Sequence, residues 1–235
     1  MTPKRNKLSI HVAIAAILIA AFLISAASAQ VSQQWVARYG SPGTGQDYAK
    51  FVRTAPNGDV YVAGYVGTDY LRDIVMVKYN SNGVFQWDCF YDHDPWGGEF
   101  DEPNAMAVDE NGYSYIAGRA GGGGSYDNEI VTIKFTPDGD TSWVRIYEGP
   151  DYGDDQAFDM VLDGEGNVYV TGWSDGGSGF GLDMVTIKYD SIGVQRWVVR
   201  YNGATNYFDS GEGIDIGNDG YIYVTGTSGV ADTLL

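Results

Sequence analysis

The chain has 235 residues, 44% of them hydrophobic, which is enough to bury a core and excludes a globally disordered chain. Lys and Arg number 14 against 31 Asp and Glu, a formal charge of −17 that argues against a nucleic-acid partner and leaves cations, neutral glycans or proteins. A single Cys, Cys89, excludes an intrachain disulfide framework and a Cys-based zinc knuckle.

Residues 1–29 read as a secretory signal. Lys4, Arg5 and Lys7 form a basic start, Val12 to Ile24 is an apolar run of 13 residues, and Ala27-Ser28-Ala29 supplies small residues before a cleavage point. The run is short for a spanning helix, which needs about 20 residues. The alternative is an uncleaved anchor. The expectation is a mature chain from about residue 30 that works outside the cytoplasm: secreted, periplasmic or at the cell surface, with no transmembrane segment.

From residue 40 onward the chain repeats itself. Asn57-Gly58-Asp59-Val60-Tyr61-Val62-Ala63-Gly64 recurs at 111–118, 165–172 and 219–226, and its first glycine stands at Gly58, Gly112, Gly166 and Gly220. The spacing is 54 residues each time. A Trp column runs Trp35, Trp87, Trp143, Trp197, with a Tyr four residues after each. A third block begins at Asp73, Glu129 and Asp183.

Each unit resolves into four short strands. The first precedes the Gly turn, as in Ala157 to Leu162, and the turn is a strong hairpin signal. The second is Val168 to Thr171 and the third Asp183 to Tyr189, both apolar on two faces, as in stacked sheets. The fourth is Trp-x-x-x-Tyr, and Trp35–Tyr39 reads as a fourth copy of it. Four-stranded units of this length predict an all-β, β-propeller-type array of antiparallel blades. Three units are complete (roughly 40–91, 92–147 and 148–201) and a fourth is partial (202–235), within one repeat domain over 30–235. A Trp from each blade would fill the space between neighbouring sheets, where burial contributes about 4–6 kcal/mol gross.

The segments 166–172, 183–189 and 197–201 resemble the bacterial SBBP repeat, named for seven-bladed β-propellers, over nearly all of 33–228. The resemblance implies an exported or cell-surface protein and brings no shared catalytic residues. The units are also similar to NHL-type repeats, which implies that the first strand of each blade is innermost. The partial unit departs from a closed ring. The chain is therefore expected to be a fragment of a longer protein, an irregular four-bladed ring closed by Trp35–Tyr39, or one of two chains that complete a ring. Further blades, from the same longer chain or another, are expected partners.

Candidate chemistry is sparse. Asp47, Asp101, Asp155 and Asp209 lie 11 residues before the turn glycines and would recur on one rim. There they would hold a cation such as calcium, or bond nearby backbone N–H groups. Lys78, Lys134 and Lys188 form a column that reads as paired or snorkelled. Gly121–Gly124 and Gly176–Gly181 read as surface loops, since no helix follows to complete a phosphate site. His93, between Asp92 and Asp94, reads as an exposed loop residue and Cys89 as a buried thiol. Trp96 and Trp173 read as loop residues that would either stack on sugar rings or simply cover a loop. The resulting expectation is a non-enzymatic scaffold or binding module with no cofactor. The alternatives are a propeller enzyme acting on polysaccharide and a calcium-dependent adhesion module. A polar residue present in one blade only, near the axis, would favour the enzyme.

Overall fold

The computed structural model describes residues 32–42, 45–68, 71–93, 100–121, 128–150, 153–177, 181–204 and 206–229. The signal segment, Asp94, Trp96 and most of the Gly121–Gly124 loop lie outside them. The chain divides at 36/37 into a short N-terminal unit and a body from Ala37. Trp35 belongs to the short unit and lies in non-strand backbone.

Fourteen strands and no helix are found among the described residues. The first sheet holds β1 (Gln46–Thr54), β2 (Val60–Gly67), β3 (Arg72–Tyr79) and β4 (Phe85–Tyr91). The second holds β5 (Glu102–Val108), β6 (Ser114–Ala120), β7 (Glu129–Phe135) and β8 (Thr141–Tyr147). The third holds β9 (Gln156–Leu162), β10 (Val168–Asp175), β11 (Leu182–Tyr189) and β12 (Gln195–Tyr201). The last holds only β13 (Asp209–Ile216) and β14 (Ile222–Ser228). Every pairing between these strands is between antiparallel chain neighbours, and one isolated parallel bridge joins Arg72 and Phe100. The turn glycines read from the repeat adopt φ of +86°, +83°, +76° and +80°, the left-handed backbone that a Cβ disfavours.

The sheets stack by one rule. β5 packs on β1, β2 and β3; β9 packs on β5, β6 and β7; β13 packs on β9, β10 and β11. The first strands are thus successive neighbours and innermost. Two apolar cores result. One, between the first and second sheets, is built on Tyr61, Ile74, Met76, Ile116, Ile133 and Phe135. The other, between the second and third, is built on Tyr115, Ile130, Trp143, Val170, Ile187 and Tyr189.

Trp87 and Trp143 are wedged between adjacent sheets as expected. A Cβ on Gly139 would lie 2.7 Å from the Trp87 ring, and one on Gly193 2.8 Å from Trp143. These glycines turn the third strand into the fourth in the following sheet. Trp87 Nε1 and Lys78 Nζ both donate to the Pro137 carbonyl, at 3.0 and 3.1 Å. Trp143 Nε1 and Lys134 Nζ both donate to the Ser191 carbonyl, at 3.4 and 3.1 Å.

The predicted fourth copy of the last strand does not form. Residues 35–39 are not a strand, and the Tyr39 hydroxyl donates to Asp88 Oδ2 at 2.8 Å, on β4 of the first sheet. Without a third strand beside β14, a lone fourth strand has no ladder to join. Among the described residues no strand pairing closes the array.

Candidate functional site

The rim acids serve the backbone. Asp101, Asp155 and Asp209 are fully buried; Asp47 is exposed. Asp101 accepts from the N–H of His93 (2.7 Å) and Gly121 (3.1 Å). Asp155 accepts from Gly149 and Asp175, Asp209 from Gly203, and Asp47 from Ser41. Each carboxylate ties the chain entering its blade to the start of the first strand, and Asp101 and Asp155 also reach the end of the second.

Burial raises the Asp155 pKa to about 6 against the opposing hydrogen bonds from Ser174, Gly149 and Asp175. The folded state therefore holds a proton that the unfolded chain releases near pH 4. Its contribution is full below about pH 4 and is lost as pH rises through about 6. Relative to an Asp155→Asn chain, urea unfolding should show the parent gaining roughly 1.4 kcal/mol between about pH 7.5 and about pH 5. Equal gains in both would refute the shift.

The strand-opening acids meet three different fates. Asp183 pairs with Arg200 at 3.0 Å, and Glu129 with His93 Nε2 at 3.3 Å. Asp73 instead meets Asp92 and Asp101, with ligand oxygens within 4.8 Å of one another. Burial, then the Asp92 charge, raises the Asp73 pKa. Among the described residues no other three ligand-type side chains converge, so the four rim acids do not form one set.

In the lysine column Lys134 is buried, and Lys78 and Lys188 are half-buried. Lys78 pairs with Asp59 at 3.0 Å; burial alone would lower its pKa, but hydrogen bonds to Asp59 and Tyr61 raise it. In the second sheet Tyr113 replaces Asp59. Lys134 then lies 4.4 Å from the Tyr113 ring and burial lowers its pKa. This lysine lines a cavity of about 640 Å³ between the second and third sheets, together with Glu110, Asp163 and Glu165.

Trp173 is not in a loop. β10 continues to Asp175 because β11 pairs with it as far as Asp175↔Leu182. The indole is half-buried between Phe158 and Phe208, at 4.8 and 5.0 Å edge-on, so it is not offered to a sugar ring. His93 is half-buried, with Nδ1 3.2 Å from the Tyr91 hydroxyl, rather than an exposed loop residue. Cys89 is half-buried rather than buried, and burial raises its pKa, which disfavours the thiolate.

A charged cluster between the first two sheets is absent from the sequence reading. Glu102 accepts from Arg72 Nη1 at 2.6 Å and from Arg119 Nη2 at 2.9 Å. Arg72 lies 4.6 Å from the Tyr65 ring and 5.3 Å from Phe100. The Nε atoms of both arginines are buried without a hydrogen-bond acceptor. Lys50 donates to Asn104 at 3.0 Å. Local burial lowers the Lys50 pKa although the residue is solvent-accessible; Glu102 raises it, and Arg119 and Arg72 lower it, which places all four charges in one field. Lys50 and Asn104 occupy the bulges of β1 and β5, so the cluster sits on the innermost strands. None of its residues recurs: one repeat after Lys50, Arg72 and Glu102 stand Asn104, Asn128 and Gln156, and after Arg119 stands Trp173. Departure from the repeat was the signal that would have revealed it.

Four sheets of one repeat, stacked with their first strands together and not closed, define an incomplete β-propeller-type array. Residues 142–181 match the family model of the SBBP beta-propeller repeat, so the resemblance read from the four copies is borne out in that segment. The matched stretch runs from β8 through β10, across the junction of two sheets. No curated protein matches the chain. No helix among the described residues is long and apolar enough to cross a membrane.

Proposed function

We propose that this protein is an exported, non-catalytic binding scaffold that recognises a carboxylate-bearing ligand, on a glycan or a protein, at the Lys50–Arg72–Arg119 cluster. The observation that carries this reading is the pair of buried Nε donors without acceptors on arginines that no other blade repeats. Most repeated acids and lysines bond within the fold, whereas the residues of this cluster do not recur. Three cations face one carboxylate there, in a chain whose overall charge is −17. That charge repels long polyanions, so the ligand is short or presented end-on. Further blades, in the same or another chain, extend the scaffold.

Calorimetric titration of the full chain with trigalacturonate, and with maltotriose as the neutral control, tests this. The carboxylated probe should bind and the neutral one should not, and Lys50→Gln should weaken binding about ten-fold, the contribution of one charge-assisted hydrogen bond. Equal binding of both sugars, or of neither, would overturn it. The single-copy character of the cluster also favours a second reading, a propeller enzyme acting on polysaccharide. New reducing ends after incubation with polygalacturonate would establish that reading instead. Among the described residues calcium-dependent adhesion would draw on Asp73, Asp92 and Asp101, and a melting midpoint unchanged by EDTA removes it. Export rests on residues 1–29; a reporter active only outside the cytoplasm should stay silent when that segment is deleted from its fusion.

A further inference from the structure

The last sheet breaks a contact that the first three sheets make twice. Trp and Lys of the first sheet share the Pro137 carbonyl, and those of the second share the Ser191 carbonyl. In both cases the acceptor lies two residues before the glycine that turns the third strand into the fourth, in the next sheet. The third sheet carries the same donors, Lys188 and Trp197. Lys188 Nζ lies 4.8 Å from the Tyr169 ring and Trp197 lies 5.9 Å from that ring, but neither has a hydrogen-bond acceptor among the described residues. Beside them β14 pairs, among the described residues, only with β13. Tyr223 on β14 is 54% exposed, whereas Tyr61, Tyr115 and Tyr169 at the same place in β2, β6 and β10 are 0, 0 and 7% exposed.

We infer that the free edge of β14, together with Lys188 and Trp197, is an acceptor site for a β-hairpin of the same repeat type: a third strand, a glycine turn and a fourth strand. The occupant is specified by three examples in the molecule. β3–β4, β7–β8 and β11–β12 each cover the corresponding edge of β2, β6 and β10. The second and third of these hairpins also bring the turn carbonyl to the Trp and Lys of the preceding sheet. Docking by strand addition satisfies the β14 backbone groups, covers Tyr223, and gives both donors their acceptor. This deepens the reading that further blades extend the scaffold, and it is independent of the ligand at Lys50, Arg72 and Arg119.

The test appends a copy of Leu182–Asn202 directly after Leu235 of the full chain. Seven residues, 229–235, then link β14 to the added strand, against six, 176–181, between β10 and β11. The melting midpoint should rise by about 5 °C or more, and amide exchange in Ile222–Ser228 should slow at least about ten-fold. An extension of the same composition in scrambled order should do neither. Trp197→Phe, which keeps a ring but deletes the N–H, should cost little in the parent chain and lower the midpoint of the extended chain. An unchanged midpoint with unchanged β14 exchange, or an equal effect of Trp197→Phe on both chains, would overturn the site. If the extended chain aggregates, the synthetic hairpin added to the parent decides: slower β14 exchange supports the site and none refutes it. Oligosaccharide binding, measured separately, is unaffected by either result.

Discussion

Trp143→Ala should destabilise the protein by about 4 kcal/mol, whereas Trp197→Ala should cost about 1–2 kcal/mol. The two residues occupy the same place in successive sheets. Trp143 is 7% exposed, with Tyr115 and Tyr189 at 6.4 and 6.1 Å on either side and the Gly193 turn against its ring. Its removal opens a cavity between two sheets and deletes the N–H donated to Ser191. Among the described residues Trp197 has no following hairpin to pack against, so less surface returns to water when it is truncated. Because stacked units are coupled through their facing sheets, the Trp143 variant should speed amide exchange in β7 and β11 and leave β2 little changed. For a chain of this length the midpoint should fall by about 8–16 °C. Equal losses from the two substitutions would mean that the indoles do not act as wedges between sheets.

Gly172→Ala should cost about 3 kcal/mol, at the upper end for overpacking. A Cβ at Gly172 would lie 1.8 Å from the Gln156 carbonyl oxygen and 2.8 Å from the Ala157 Cα. Both are backbone atoms of β9, opposite the bulge that leaves Phe158 out of register. Rotamer changes cannot relieve the contact, so the first two strands must separate. Gly64, Gly118 and Gly226 meet the same obstacle, with a carbonyl oxygen at 1.7, 2.0 and 1.8 Å. Gly164→Ala is the control. Nothing lies within 4 Å of its Cβ, and restricting the unfolded chain should make it neutral or stabilising by about 0.5 kcal/mol. Denaturant midpoints of the two variants, compared at one protein concentration, check the contrast. A Gly172→Ala chain as stable as the parent would rule out the close approach.

These two sites show how much of the architecture was legible. The turn glycines are readable because Asn-Gly and Asp-Gly between apolar runs demand positive φ locally. The second glycine of each copy repeats just as regularly, but its cause is the partner strand's carbonyl, which no local rule supplies. Trp173 was misread for a related reason. Its Gly-rich surroundings suggest a loop, yet β11 holds it in a strand through cross-strand pairing. Trp35–Tyr39 has the right residues for a fourth strand and no neighbour to pair with. The Glu102 cluster escaped a reading that sought recurrence, because each member interrupts its column.

The amino-acid order alone determined the strands, their grouping in fours, the positive-φ turns and the two-sided apolar faces that force sheets to stack. These depend on alternation, turn chemistry and a period of 54, all written along one chain. Only the tertiary structure decided that three of the recurring aspartates, Asp101, Asp155 and Asp209, are buried partners of backbone N–H groups. It alone brought Arg72 and Arg119 onto one carboxylate and left Lys188 and Trp197 without an acceptor among the described residues. Charge, burial and hydrogen bonding between sheets depend on residues about 50 positions apart, and no spacing within a single unit encodes which of them meet.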